Sequence, residues 1–534
     1  MNILKKAPLL FLLIPLLTCC NIIPINNGSD TDSGSGDGGD NNPPIINPTG
    51  DYSILEPNYD QPIRTSKSEV TYEDLFNLNN KVDIRIDVDK SELQKIHNDN
   101  VYGGDFDSIK PETYHLAKKV TITLVNKDNT FTWEYENVGI RQKGNTSRRP
   151  IIKDNGEVSN KNHFKLSFDE TFTDTEKYDS SFISQYGNED YEDRDFLGLT
   201  GLDIKWNKTD DRTHLKEIYA SMMFRSAGVI HQQIGLSTMK MHYDDDKVAD
   251  FGLCYIYEPS NKSIIKRTLS SAKKYIGMPT WKEESNGQYG VSGKKYGDLY
   301  KATYGKGNGA SSGADFTKDS IKGSRLGVKT DIKGYNWPTY ERKTNKNESY
   351  DDGLMKDLVN NVLNSSSSTY EQIDALVNLS SLAMEEAVMY YLGDPDCMRY
   401  NYNNYMVYFS RVDKKMTIIP MDNDRAFGIG TSWRDGLDYV LSNNASAMNP
   451  NSLNNNSQRN QLLKKTIFTT GTKAQADYKH CLALVKNSNW LKEETFENYY
   501  NILKSTYSGL ATFSLNSHDD NLSFKEYLNK KLAI

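Results

Sequence analysis

The 534-residue chain has little cysteine, no excess of positive charge and no long apolar run. Only Cys254, Cys397 and Cys481 lie beyond the first twenty residues. Three thiols spaced that widely make neither a disulfide framework nor a zinc site. Cys397 has no histidine near it in sequence, so it reads as a small buried residue rather than a nucleophile. The formal net charge of −7 argues against nucleic acid as a partner. No array of aromatic and basic residues suited to stacking single strands is present either. Hydrophobic residues make up 37% of the chain, which fits a globular body with polar loops and tails. The apolar run Leu9 to Leu17 falls short of the ~20 residues that span a bilayer, and Pro8 and Pro15 interrupt it. No internal repeat is visible.

What the N-terminus has instead is the order of a targeting segment. Lys5 and Lys6 precede the apolar run, which ends in Leu17-Thr18-Cys19-Cys20-Asn21. This resembles a bacterial lipoprotein signal. The resemblance implies cleavage after residue 19 and a lipid on Cys20, with Cys19 as the alternative. Residues 21–50 are rich in Gly, Ser, Asp and Pro and read as a flexible tether. The expectation is an exported protein, held by a lipid anchor just off a membrane at the cell envelope or surface.

The folded body is expected from about residue 80. Val82 to Val88 alternates as a strand, and Ser91 to Ile96 opens a short helix. His115–Val125, Thr130–Tyr135 and Val138–Gln142 continue the strand pattern. After residue 350 the spacing turns helical. Leu382 to Leu392 forms one helix, and 461–534 a set of amphipathic ones.

That helix runs into the most informative stretch. Gly393-Asp394-Pro395-Asp396 is followed by an Asn-rich loop and a strand at Tyr405 to Ser410. A turn and a second strand at Met416 to Ile419 follow, and then Asp422-Asn423-Asp424. Carboxylate and amide oxygens thus cap both ends of a two-stranded ribbon. A hard cation such as Mg2+ takes such ligands, and phosphoryl transfer uses that cation. Asp422-Asn423-Asp424 also suits Ca2+, but no EF-hand spacing follows it.

These residues resemble the spore-coat-protein-H-like (CotH) kinase family. Its signature is an Asp, a short loop, Asn-Tyr-x-x-Tyr, a hairpin and Ile-Pro-Trp-Asp-x-Asp. Here they are Asp396, Asn404-Tyr405-Met406-Val407-Tyr408 and Ile419-Pro420-Met421-Asp422-Asn423-Asp424. Met421 replaces the Trp at a packing position. Arg141-Gln142-Lys143-Gly144-Asn145-Thr146-Ser147 is similar to the family's Arg-Gly-Asn-Ser-Ser element, with Lys143 in place of its Arg. Lys161 to Phe168 aligns with its lysine-bearing strand. Ala227-Gly228-Val229, Phe251 to Glu258 and Gly297 to Lys301 echo further phrases in order.

The resemblance implies an α+β, atypical protein-kinase-like fold of two lobes. A strand-rich N-lobe would cover about 80–260 and a helical C-lobe about 350–534, with an irregular insertion at about 268–335. It implies transfer of the ATP γ-phosphate to a protein hydroxyl with Mg2+ or Mn2+. Asp396 would be the catalytic carboxylate. Asp422, Asn404 and Asp424 would hold the metal, with Asn401 the rival of Asn404. Lys165 or Lys161 would hold the phosphates, Glu217 would pair with that lysine, and Gly144 and Asn145 would cover the nucleotide. The substrate would be a secreted or surface protein, or the chain itself. Basic residues of the insertion could receive an acidic substrate. The alternative reading is a catalytically silent surface module, an adhesin or scaffold.

Overall fold

The computed structural model describes residues 47–48, 50–99, 113–144, 147–244, 246–289, 296–303, 313–321, 326, 328–330, 336–345, 352–432 and 460–533. Cys19, Cys20, Asn145 and nearly all of the tether lie outside the described residues. The described residues all belong to one unit, 45–534.

Seven strands form the first half: β1 (Lys81–Asp87), β2 (His115–Asn126), β3 (Asn129–Lys143), β4 (His163–Ser167), β5 (Gly201–Trp206), β6 (Ile234–Tyr243) and β7 (Lys247–Tyr257). They close into a barrel in the order β1-β2-β3-β4-β5-β7-β6. Every pairing is antiparallel except β1 with β6, which runs parallel from Asp83↔Thr238 to Asp87↔His242. The period-2 pattern explains the wall. Ile84, Ile122, Ile140, Phe164, Leu166, Ile204 and Ile256 fill the interior. Their sequence neighbours therefore point outward.

The second half combines helices with a sheet. Strands β8 (Asp298–Ala302), β9 (Val328–Thr330), β10 (Asn336–Pro338), β11 (Tyr340–Arg342), β12 (Tyr405–Phe409) and β13 (Met416–Pro420) follow in the chain. β9 and β10 form a two-stranded ribbon, and the other four a sheet in the order β11-β8-β12-β13. Both faces of this sheet are covered. Tyr300, Val407 and Phe409 join the largest core, while Leu299, Met406, Tyr408 and Ile419 pack on the other side. The principal helices are α1 (Lys216–Ser226), α2 (Leu379–Leu392), α3 (Lys473–Asn487), α4 (Glu493–Thr506) and α5 (Phe524–Leu532). α2 is buried on nearly every side, its Glu385 and Glu386 included; apolar residues on all its faces pack it into the core. Asn378 caps its start by accepting from the Ser381 amide. Gly393 ends it in the left-handed region at φ 62°. A Cβ there would collide with the Tyr527 hydroxyl. No helix among the described residues is long and apolar enough to cross a membrane.

The two-lobe kinase-like architecture is therefore corrected. The strands of 81–257 do not make an open lobe sheet. β1 uses both of its edges, one for β2 and one for β6, and the closed barrel leaves no edge free. Nor is the second half purely helical. The stretch read as an irregular insertion supplies β8, and β8 pairs directly with β12. The architecture is mixed α+β: a closed seven-stranded barrel, a four-stranded sheet and helices.

Candidate functional site

Strand alternation builds the first wall of the site on the outside of the barrel. In β5, Leu202 and Ile204 point inward, so Asp203 and Lys205 point outward. The Lys205 ammonium contacts the Asp422 carboxylate and lies 3.6 Å from Glu217 of α1. It also stands 4.3 Å above the centre of the Tyr257 ring. The Tyr257 hydroxyl donates to Glu217 Oε2 at 2.6 Å. Lys143, at the end of β3, donates to Asp203 at 2.5 Å. One strand, its neighbour β7 and the first turn of α1 thus converge on a single ammonium.

The second wall is the loop after α2 and the end of β13. Asp394 accepts from the Asp396 amide at 2.8 Å and from Asn423 Nδ2 at 3.0 Å. His231 holds the Asn423 side-chain oxygen at 2.9 Å. Asn423 is therefore a structural tie between the loops, and the carboxylates on either side of it are left for chemistry. Asp396 receives the amide groups of both Asn401 and Asn404, the latter at 3.1 Å. Asn404 also reaches the Asp422 carbonyl at 3.3 Å, and Met421 donates back to the Asn404 carbonyl at 2.9 Å. Asn404 and Asp422 both have positive φ, 55° and 58°. Side chains disfavour that region unless the surroundings hold them there, and these cross-links do so.

The buried charges do not balance pair by pair. Burial pulls the Lys205 ammonium down, but Asp422, Glu217 and Asp424 outweigh it and hold it above the usual lysine range. Burial pushes Asp422 up, yet Lys205 and Lys143 keep its carboxyl far below the usual range. Burial and the repulsion of Asp424 and Asp422 raise Glu217 to about 7 in spite of Lys205. A lysine held charged beside a glutamate pushed up to about 7 looks inconsistent for partners. Geometry resolves it: Lys205 touches Asp422, whereas Glu217 lies 3.6 Å away and leans on Tyr257. The ion pair is Lys205–Asp422, and Glu217 is the surplus carboxyl. Burial beside Asp422 raises Asp424 too.

The structure brings together Asp396, Asn404, Asn401, Asp422, Asp424 and Glu217 from the sequence-derived set. It does not bring Lys161 or Lys165 to them. Lys161 is exposed. Lys165 lies among Tyr114, Asp203, Arg141 and Asp169 and forms no ion pair with Glu217 or Asp422. Gly144 follows the last residue of β3, the cleft residue Lys143, at φ 111°, where a Cβ would overlap the Ser147 hydroxyl. Sequence reasoning missed Lys205, Tyr257 and His231. The signal for Lys205 was its place on an alternating strand shortly before the helix that carries Glu217.

A divalent cation fits this donor set. Asp422, Asp424 and the Asn404 side chain offer oxygen alone. The Asn404 side-chain oxygen and the Asp424 carboxylate accept no hydrogen bond from described residues. Asp422 contacts Lys205 and Asp424 lies 4.0 Å from Arg425, so a cation bound here would compete with those two pairs. No family model and no curated protein matches this chain.

Proposed function

We propose that the protein is a metal-dependent phosphotransferase of the CotH kinase type, moving the γ-phosphate of ATP to a hydroxyl of a secreted or surface protein or of the chain itself. The observation that carries this reading is Lys205 between Glu217 and Asp422. A strand lysine, a helix glutamate and a metal-binding aspartate form the charge set that phosphoryl transfer uses, and this set does not depend on the surrounding fold being that of a protein kinase. Asp422, Asp424 and Asn404 would hold Mg2+ or Mn2+. A bound metal neutralises charge developing on the phosphates. Lys205 positions the phosphates from the barrel wall, and Glu217 sets where Lys205 stands. Asp396, fixed by Asn401 and Asn404, would orient the acceptor hydroxyl and take its proton as the oxygen attacks the γ-phosphorus, whose bond to the β,γ-bridging oxygen breaks to release ADP. The lipoprotein-like N-terminus places the reaction at an envelope surface, with Cys20 as the anchored residue.

A catalytically silent surface module, adhesin or scaffold, is the second reading. The direct Lys205–Asp422 contact favours it, because it occupies the carboxylate that a metal needs.

Thermal unfolding with ATP, with and without Mg2+ or Mn2+, separates the two. A ligand at 100 times its Kd stabilises by about 2.7 kcal/mol. A metal-dependent rise in Tm that Asp422→Ala removes, while that variant still unfolds cooperatively, is the expected result. No response to any nucleotide favours the silent module.

A further inference from the structure

The four-stranded sheet carries a lysine that no described residue pairs with. In β8, Tyr300 and Ala302 sink into the large core, so Lys301 emerges on the opposite face with Leu299. The charges acting on it most strongly are Lys143, Lys343, Glu341 and Asp422. Each of these has a closer partner: Lys143 has Asp203, Lys343 has Glu341, and Asp422 has Lys205. Lys301 is only partly buried, yet its ammonium makes no hydrogen bond or ion pair with a described residue. Burial and its two lysine neighbours push its ammonium down to about 8. A cation held beside like charges destabilises a fold unless a ligand compensates it. Lys301 lies opposite Met406, the second residue of β12, and so at the end of the ribbon from which Asn404 and Asp422 lead off.

We propose that Lys301 is a phosphate-binding residue: from the sheet side of Asp422 it completes, with Lys143 and Lys205 on the barrel side, a three-lysine cradle for the polyphosphate of a nucleoside triphosphate. This rests on the phosphotransferase reading and deepens it. Lys301 shares the sheet face of Leu299, Met406, Ile419 and Met421, the last of these directly before Asp422, and Asp422 is the residue that Lys205 contacts from the barrel. The cradle also gives β8 a role beyond packing, since its pairing with β12 ties Lys301 to the strand that follows Asn404.

The test is calorimetric titration of the full chain with Mg2+ and, separately, ATP, ADP, adenosine and inorganic tripolyphosphate, for wild type, Lys301→Gln, Lys301→Arg and Asp422→Ala. Loss of one charged hydrogen bond corresponds to about tenfold or more in affinity. Lys301→Gln is expected to weaken ATP and tripolyphosphate by at least that factor and to leave adenosine unchanged. Lys301→Arg is expected to recover part of the loss. Without ligand, Lys301→Gln is expected to unfold at the wild-type temperature or above it, because it removes an uncompensated cation. Wild-type ATP affinity in Lys301→Gln, with loss in Asp422→Ala, overturns the inference and leaves the phosphotransferase reading standing. Intact ATP affinity with weakened binding of an acidic acceptor peptide also overturns it, assigning Lys301 to the acceptor. Destabilisation of both Lys301 variants without ligand overturns it as well, making the charge structural. Failure of wild type to bind any of the four probes removes the phosphotransferase reading and the inference with it.

Discussion

Replacing Lys205 by Met removes the ammonium and keeps most of the stem over the Tyr257 ring. The side chains of Lys205 and Glu217 are 11% and 6% exposed, whereas that of Asp422 is 36% exposed. Removing one partner of a buried ion pair costs ~3–5 kcal/mol, because the other charge stays behind unpaired. Here water reaches Asp422, and Glu217, pushed up to about 7, is only part ionised at pH 7, so the cost falls at the lower end, about 3 kcal/mol. Asp422→Asn in the same molecule removes the stranded charge and restores part of that loss, giving a coupling of ~0.5–3 kcal/mol in a double-mutant cycle. Lys161→Met, at an exposed position, changes stability by no more than ~0.5 kcal/mol. Denaturant unfolding of the single and double variants at pH 7 reads these numbers, and the Mg·ATP thermal shift reads their consequence for the site. Lys205→Met is expected to abolish that shift and Lys161→Met to preserve it. A Lys205→Met protein with wild-type stability and an undiminished nucleotide shift refutes the assignment, as does additivity of the Lys205 and Asp422 changes.

Two further outcomes follow from the same geometry. Asp396→Asn is expected to bind Mg·ATP as wild type does while turnover falls by ~10²-fold or more; equal loss of binding and turnover removes its role as the proton acceptor. Glu217 titrates at about 7 against an ordinary value of 4.5, so the fold favours its protonated form. The stability it lends is complete below about 4.5 and is lost as pH rises through about 7. Glu217→Gln mimics the protonated acid, so without nucleotide it is expected to match wild type at pH 5 and to exceed it in Tm at pH 8. A variant less stable than wild type at pH 8 means that attraction to Lys205 outweighs burial.

The sequence exposed the acidic half of the site and hid the basic half, for a physical reason. Asp396, Asn404, Asp422 and Asp424 lie within thirty residues, joined by a hairpin whose register, from Tyr405↔Pro420 to Phe409↔Met416, follows from its own short turn. Local spacing was enough to bring them together. Lys205 reaches Asp422 across 217 positions of chain. Its identity depends on which face of β5 looks out of the barrel and on which segment covers that face. Lys161, Lys165 and Lys205 all occur near strands with alternating patterns. Only the closed order of the barrel sets Lys205 against α1 and leaves Lys161 in solvent.

The same non-local pairing decided the fold. β1 and β6 stand about 150 residues apart, and nothing in either strand announces a parallel partner. Yet without that pairing β1 and β6 would each present an open edge. The alternating strands predicted from the sequence were consistent with an open lobe until that pairing closed them. Closure turns one alternate set of strand positions into an apolar interior and the other set outward, where Asp203 and Lys205 stand on the same wall as Leu236, Tyr255 and Tyr257, so a site built from polar strand residues must form on the outer wall. There it needs a second surface to shield it. α1 supplies one side, the α2 loop another and β8 a third, which is why a strand from the apparently irregular stretch at 268–335 carries Lys301 to the charged cleft and not to open solvent.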